Sequence, residues 1–587
     1  VGLDQHQQDY LQTAGKLFSD MLKTCQTANP MFNPDKMAQL FNSGSQIDTE
    51  KLLQGQLNLM QQQLQLWQKT TRAMLEQSEP ENVVENDRSD KRFKDRAWKN
   101  DPVFSYLKQS YLLNARLLEE TVDSIHFEDE KTRDQAKFFT RQFISSMSPT
   151  NTPLTNPEVH RKIQESQGQS LMQGFENYLH DLQKSPMDSF KITQTPEDAF
   201  VLGKDLANTP GQVVAQTDLM QLIQYTPTTD KVQEAPLLII PPFINKYYIM
   251  DLGARKSMVR WLVEQGHTVF MISWVNPTRE LSHKRLDDYM LEGPVAALDA
   301  IESITGRKKI NVAGYCVGGT LLACTAAYLK AIGDDRLNSL TFFATMLDFS
   351  EPGEIGNFVS EEMVELLRQE TELKGVLDGR KIGLGFNMLR ENSLFWSYFV
   401  DNYLKGKRPA ALDMLFWNGD ATNIPAAAYN FYLRNAYLEN RIKQPGGISL
   451  NGVPIDLSAP SVPTYVVASE ADHIVLWESA YRSAQLLSGP TRFILASSGH
   501  IAGIINPADP GKYPHRVPAA DSEGQPLPEK PEQWLDSSEK VSGSWWNDWV
   551  QWLQPQSGKA VKAREVGTSK EYPALEAAPG SYVKVNI

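Results

Sequence analysis

Of the three cysteines in this chain, Cys25, Cys316 and Cys324, one stands where a nucleophile would. Ile310-Asn-Val-Ala-Gly314-Tyr-Cys316-Val-Gly318-Gly319 runs from a short apolar stretch through G-x-C-x-G-G into Ala- and Leu-rich sequence. Such a run reads as a sharp strand-to-helix turn that lifts a nucleophile above a sheet edge, with cysteine in the position usually held by serine. The glycines leave room for the turn. A helix N-terminus behind Cys316 would stabilise a thiolate, and the Val317 N–H is placed to meet an oxyanion. The alternative is an inert cysteine buried in a Gly-rich turn, and the flanking strand and helix patterns argue against it.

An acid and a base are expected downstream, in the order nucleophile, acid, histidine. Asp472 in SEADHIV follows the strand-like run 464–468, and His500 in SSGHIAG follows 492–496. His473 adjoins Asp472, so the two side chains do not readily face each other, and His500 is the better base. His473 is then either a helper lining the site or a surface residue. Cys324 lies one helical stretch beyond Cys316, roughly 12 Å away at ~1.5 Å per residue. That is too far for direct acyl transfer between sulfurs, and Cys324 reads as buried filler. A second oxyanion donor should come from the loop after an early strand, PPFINKYYIMD, where the Phe243 N–H is the candidate. The prolines of that loop could equally be structural.

These side chains need a sheet to hold them. Residues 237–240, 267–272, 310–313, 340–345, 464–468 and 492–496 are short, apolar, β-branched runs alternating with helical stretches. Buried parallel strands of an α/β fold read this way. The expected catalytic domain is an α/β-hydrolase-type, mostly parallel sheet over 196–587, preceded by a helical domain over 1–195. About 115 residues separate Leu347 from Pro463, too many for a loop, so an inserted subdomain is expected over about 348–462. It carries Phe395, Trp396, Tyr398, Phe399, Tyr403, Phe416 and Trp417. These rings suit either a lid over an apolar substrate channel, with Trp417 as a substrate-facing candidate, or a small core of the insertion's own.

In the N-terminal part, Leu53, Leu57, Met60, Leu64, Trp67, Thr71 and Met74 form an apolar seam on a Gln-rich helix. The seam is expected to pack on its own domain or on a partner. Residues 81–96 read as a charged connector. Near the C-terminus, Trp545, Trp546, Trp549 and Trp552 share a helix-like segment expected to pack on the main domain, and the residues from about 556 onward read as loosely ordered.

Composition narrows the classes. Apolar residues make up 41% and charged residues 22%, as in ordinary globular chains. A net charge of −13 without a basic stripe disfavours nucleic acid. Three cysteines give no disulfide framework and suggest a reducing compartment, and no His/Cys spacing suggests a metal. The start, VGLDQHQQDY, shows no secretory apolar core, and no apolar run is long enough to span a membrane.

Taken together, PPFINKYYIMDL, GYCVGGT, MLDFSEPGE, DNYLKG, FWNGDATN, DHIVLW and SGHIAG resemble segments of class I polyhydroxyalkanoate (PHA) synthases, as do DRSDKRFKDRAW and MSPTNTPLTNPE. The resemblance extends over roughly residues 85–555. It implies a Cys–His–Asp site on Cys316, His500 and Asp472, with no cofactor, and a reaction in which (R)-3-hydroxyacyl-CoA, short-chain such as 3-hydroxybutyryl-CoA, is polymerised with release of CoA. It further implies a growing polyester chain as second substrate, a homodimer formed through the catalytic domain, and residence on cytoplasmic polyester granules alongside granule-surface proteins. A cysteine-nucleophile thioesterase or esterase would share the triad but release free acid. A non-catalytic granule scaffold would need no triad.

Overall fold

The computed structural model describes residues 46–85, 90–185, 190–509, 511–520 and 524–587; Cys25 and part of the charged connector lie outside them. The described residues fall into two compact units. One comprises the chain up to Pro196 together with Leu384–Ala411, and the other Glu197–Gly383 together with Leu412–Ile587.

The first unit is helical. Helices α1 (Thr49–Glu76), α2 (Pro102–Asp123) and α3 (Glu130–Ser146) form where amphipathic runs follow a capping residue, and α4 (Gln169–Lys184) follows a left-handed Gly168. Asp48, Asp101 and Asp129 each accept a backbone N–H of the first turn, and Pro102 sits where no N–H is needed. The seam on α1 faces away from the rest of its unit: Leu53, Leu57, Met60, Leu64, Trp67 and Met74 are between 49% and 69% exposed. The packed face is the neighbouring stripe of Leu59, Leu66, Thr70 and Ala73, which meets α2 around Leu113, with Gln63 donating to the Ser110 hydroxyl at 3.2 Å. A small residue helps decide the choice, because a Cβ on Gly55 would lie 3.2 Å from Leu117 Cδ1 of α2, closer than the larger seam residues would allow.

The stretch expected as one insertion is divided between the units. Its middle, Leu384–Ala411, joins the first because buried polar groups hold it there. The Glu391 carboxylate accepts from Ser145 Oγ at 2.8 Å and from Gln142 Nε2 at 3.2 Å. The Tyr403 hydroxyl donates to Asp181, which also accepts the Thr193 N–H at 2.9 Å. Phe395, Trp396, Phe399 and Tyr403 stack edge to face in succession, with centroids 5.1–5.5 Å apart, and Tyr178 continues the series. These rings make a core of the first unit. Phe416 and Trp417 belong to the second.

The second unit is built on an 11-stranded sheet. Its strands in chain order are β1 (Gly211–Gln216), β2 (Met220–Tyr225), β3 (Leu237–Ile240), β4 (Val269–Trp274), β5 (Ile310–Tyr315), β6 (Leu337–Phe343), β7 (Thr464–Ser469), β8 (Thr491–Ala496), β9 (His515–Val517), β10 (Glu539–Val541) and β11 (Glu576–Ala577). Across the sheet they run β10-β9-β8-β7-β6-β5-β3-β4-β2-β1-β11. The stretch from β4 to β8 is parallel throughout, and the flanking pairs are antiparallel. Helices on both faces explain why β3, β4, β5 and β7 are buried at every position. Helix α5 (Val317–Ala331) follows β5 and is buried through Leu329, so it reads as apolar all round. Farther along come α6 (Ala426–Tyr432), which continues into a π-helical turn at Leu433–Leu438, and α7 (Trp545–Gln556). The segment after α7 is tied down, contrary to its composition. Ala560–Lys562 pairs with Lys231–Gln233, β11 extends the sheet, and the Val585 carbonyl accepts from Lys246 Nζ at 2.6 Å.

Candidate active site

The turn between β5 and α5 is strained at one residue. Cys316 has φ 52° and ψ −125°, a conformation that side-chain-bearing residues rarely adopt and that costs on the order of 1–3 kcal/mol. It is held from both sides: the Cys316 N–H donates to the Phe343 carbonyl at 2.9 Å, and the Cys316 carbonyl accepts the Gly319 N–H at 2.8 Å. Glycine is required around it. A Cβ on Gly314 would lie 2.6 Å from the Gly319 Cα, and one on Gly318 would lie 2.5 Å from the Pro241 carbonyl oxygen. The second contact shows that the loop carrying Phe243 abuts the start of α5.

Asp472 follows β7 with its carboxylate buried. One oxygen accepts the Ile474 and Val475 N–H groups at 2.8 and 2.9 Å, and the other meets His500 Nδ1 at 2.7 Å. His500 follows β8; its ring is buried and stacks on Tyr315 at 5.6 Å, and the Tyr315 hydroxyl donates to the His500 carbonyl at 3.0 Å. The adjoining loop hangs from α7, with the Trp545 and Trp546 indoles donating to the Gly503 and Ile504 carbonyls, both at 2.9 Å. Burial alone would push the His500 imidazole down. The negative charges of Asp472 and Cys316 and its hydrogen bonds to both outweigh that and push it up to about 10, so the imidazolium is favoured. Cys324 is fully buried, and burial pushes its thiol up to about 12, which leaves it no thiolate to work with.

Of the other expected site residues, Val317 and Phe243 present backbone N–H groups that make no hydrogen bond among the described residues. The Phe243 ring is core, lying 4.7 Å from Tyr289 and 6.3 Å from Trp274. Trp417 is buried with its indole N–H on the Lys246 carbonyl at 2.6 Å, where it braces the loop that bears Phe243. His473 is half-buried beside Asp472, whose carboxylate is taken by His500. Sequence reasoning missed Tyr315, Trp545 and Trp546 as supports of His500. The only signal was the Trp cluster itself, whose indole partners cannot be read from the sequence. Among the described residues no group of three or more His, Cys, Asp or Glu could hold a metal ion, and no helix is long and apolar enough to cross a membrane.

Residues 89–262 match the family described as the N-terminus of poly-β-hydroxybutyrate polymerase (PhaC), and residues 236–507 match the α/β hydrolase fold. A poly(3-hydroxyalkanoate) polymerase of Methylorubrum extorquens is 44% identical over 92% of this chain and 87% of its own length. The chain belongs to the poly(3-hydroxyalkanoate) polymerases. A polymerase subunit of Cupriavidus necator is likewise 44% identical, over 84% of this chain and 83% of its own, and one of Rhizobium meliloti is 39% identical over 92% and 86%. As a PHA polymerase the protein is an acyltransferase on the α/β-hydrolase fold, and the class I resemblance of its motifs accords with the C. necator relative.

Proposed function

We propose that Cys316, His500 and Asp472 carry the polymerisation of short-chain (R)-3-hydroxyacyl-CoA, such as 3-hydroxybutyryl-CoA. The observation that supports this most is the pairing of a strained Cys316 turn with a His500 whose Nδ1 is held by the buried Asp472 carboxylate at 2.7 Å. The Cys316 thiolate attacks the acyl-CoA carbonyl while the Val317 and Phe243 N–H groups meet the oxyanion. CoA leaves as a thiolate and takes the proton from the His500 imidazolium. Thiol-to-thioester exchange is nearly balanced in energy, which suits cysteine better than serine.

Acylation changes the electrostatics. The thioester is neutral, so the Cys316 charge no longer supports the imidazolium, and burial of His500 counts for more. The imidazole then accepts the proton of a 3-hydroxyl, whose oxygen attacks the Cys316 thioester. An oxoester forms and the Cys316 thiolate is released beside a re-protonated His500. Large rings at Phe243, Tyr289, Phe349, Tyr432 and Tyr437 cluster around the loop that bears the Phe243 N–H and support a short acyl chain and exclusion of water. The proposal extends to a homodimer formed through the catalytic domain on cytoplasmic polyester granules, to whose apolar surface the exposed stripe on α1 offers a contact.

The test supplies 3-hydroxybutyryl-CoA to the full chain and follows CoA release, polymer, and acyl mass on Cys316. Cys316→Ala is expected to abolish all three while keeping the native circular dichroism, and Cys324→Ala to retain most of them. A folded Cys316→Ala protein that still made polymer would overturn the assignment.

A further inference from the structure

The turn that carries His500 leaves one of its own carbonyls without a backbone partner. Within it the Gly503 N–H returns to the Gly499 carbonyl at 2.7 Å, and the Ile504 and Ile505 N–H groups both return to that of Ile501, at 3.0 and 2.8 Å. The His500 carbonyl is passed over, and the Tyr315 hydroxyl takes it at 3.0 Å. The same side chain covers one face of the imidazole, with ring centroids 5.6 Å apart and planes inclined by 28°. Asp472 holds the Nδ1 edge at 2.7 Å but leaves the tilt of the ring about that bond open. Tyr315 closes it.

Tyr315 is the last residue of β5, is buried, and directly precedes Cys316. The φ of 52° at Cys316, held by the bond from its N–H to the Phe343 carbonyl, sets how these two neighbouring side chains diverge. The nucleophile and the tether of its base therefore share one rigid corner of the sheet.

The two half-reactions ask different things of His500. In acylation a thiolate attacks and a thiolate leaves: the bond from carbon to the Cys316 sulfur forms, the bond to the CoA sulfur breaks, and no proton has to move during the attack. In chain transfer the 3-hydroxyl oxygen forms the new C–O bond, the bond to the Cys316 sulfur breaks, and the hydroxyl proton passes to His500 Nε2. An alcohol ionises far less readily than a thiol, so this second step depends on a base fixed within hydrogen-bond reach. We infer that Tyr315 is a positioning residue for chain transfer, serving the step that accepts a hydroxyl far more than it serves acylation. This rests on the acyl-Cys316 reading above and deepens it.

The experiment compares the full chain with its Tyr315→Phe variant, which keeps the stacked ring and removes the tether. Acylation is read by intact mass as the rate at which Cys316 gains the acyl group from 3-hydroxybutyryl-CoA at less than one equivalent. Chain transfer is read by chasing that acyl-enzyme with isotopically heavy 3-hydroxybutyryl-CoA and following the mixed light–heavy ester. Tyr315→Phe is expected to slow transfer by about three- to tenfold and to leave acylation within about twofold. The pH midpoint of transfer should stay in place, because Asp472 still holds Nδ1, and only the maximum should fall. A merely structural role would slow both steps in parallel, which overturns the inference. So does a shifted midpoint with an unchanged maximum, since Tyr315 would then act on charge and not on position. Acylation of Cys316 with equal transfer in both proteins overturns this inference alone, whereas an unaltered chain that gains no acyl mass on Cys316 overturns the Cys316 reading and this one with it.

Discussion

Cys316 and His500 are electrically one object. His500 stands at about 10 because, against the downward push of burial, Asp472 first and the neighbouring Cys316 second favour its proton. Removing the Cys316 charge should therefore lower the His500 titration. An NMR titration of the His500 ring is expected to show a midpoint near 10 in the unaltered protein and a lower one in Cys316→Ala; equal midpoints would show that the two do not communicate. The linkage has a definite sign. A histidine raised on folding stabilises the fold fully below its unfolded value of about 6.5 and loses that contribution as the pH rises through about 10. Cys316, Asp472 and His500 were legible as a set because each sits immediately after a strand, in a short motif with chain order of its own. Trp417 and the Phe243 side chain were not. Whether an indole faces substrate or a backbone carbonyl depends on what the rest of the chain brings to it.

The strands of the parallel core were legible as elements, since burial on both faces leaves continuous apolar runs such as Leu237–Ile240. The strands β1 and β2 escaped notice because Gln212, Gln216, Gln221 and Gln224 break up the apolar pattern. On α1 the helix itself was legible and its buried face was not: two apolar stripes compete, and close approach of α2 at Gly55 favours the less bulky one. Helix α7 acts on the site from a distance. Trp545→Phe and Trp546→Phe keep apolar rings but leave the Gly503 and Ile504 carbonyls without their donors, at a cost of about 1–3 kcal/mol each. The double variant is expected to fold, to acylate Cys316 several-fold more slowly, and to exchange the amide hydrogens of residues 499–506 faster. Unchanged exchange there would separate α7 from the His500 loop.

At the scale of the whole chain, the residues around Cys316 all come from the second unit, while Leu384–Ala411 belongs to the first. The long gap after Leu347 disclosed an insertion but not the allegiance of its middle, which rests on buried carboxylates at Glu391 and Asp181 paired with residues more than 200 positions away in the case of Tyr403. Removing residues 1–85 takes away α1 but none of these latches and none of the residues around Cys316. The truncated chain is expected to keep Cys316 acylation by 3-hydroxybutyryl-CoA and to bind polyester granules less in a sedimentation assay. Loss of acylation in a folded truncation would mean that α1 shapes the site.

The tie between Lys246 and the Val585 carbonyl joins residues 339 positions apart. During synthesis the loop with Phe243 leaves the ribosome early, yet one of the bonds that fix it waits for residues made much later. The stretch around Val585 is therefore part of the framework of the catalytic unit, since one of the bonds that fix the Phe243 loop is completed only by the end of the described chain.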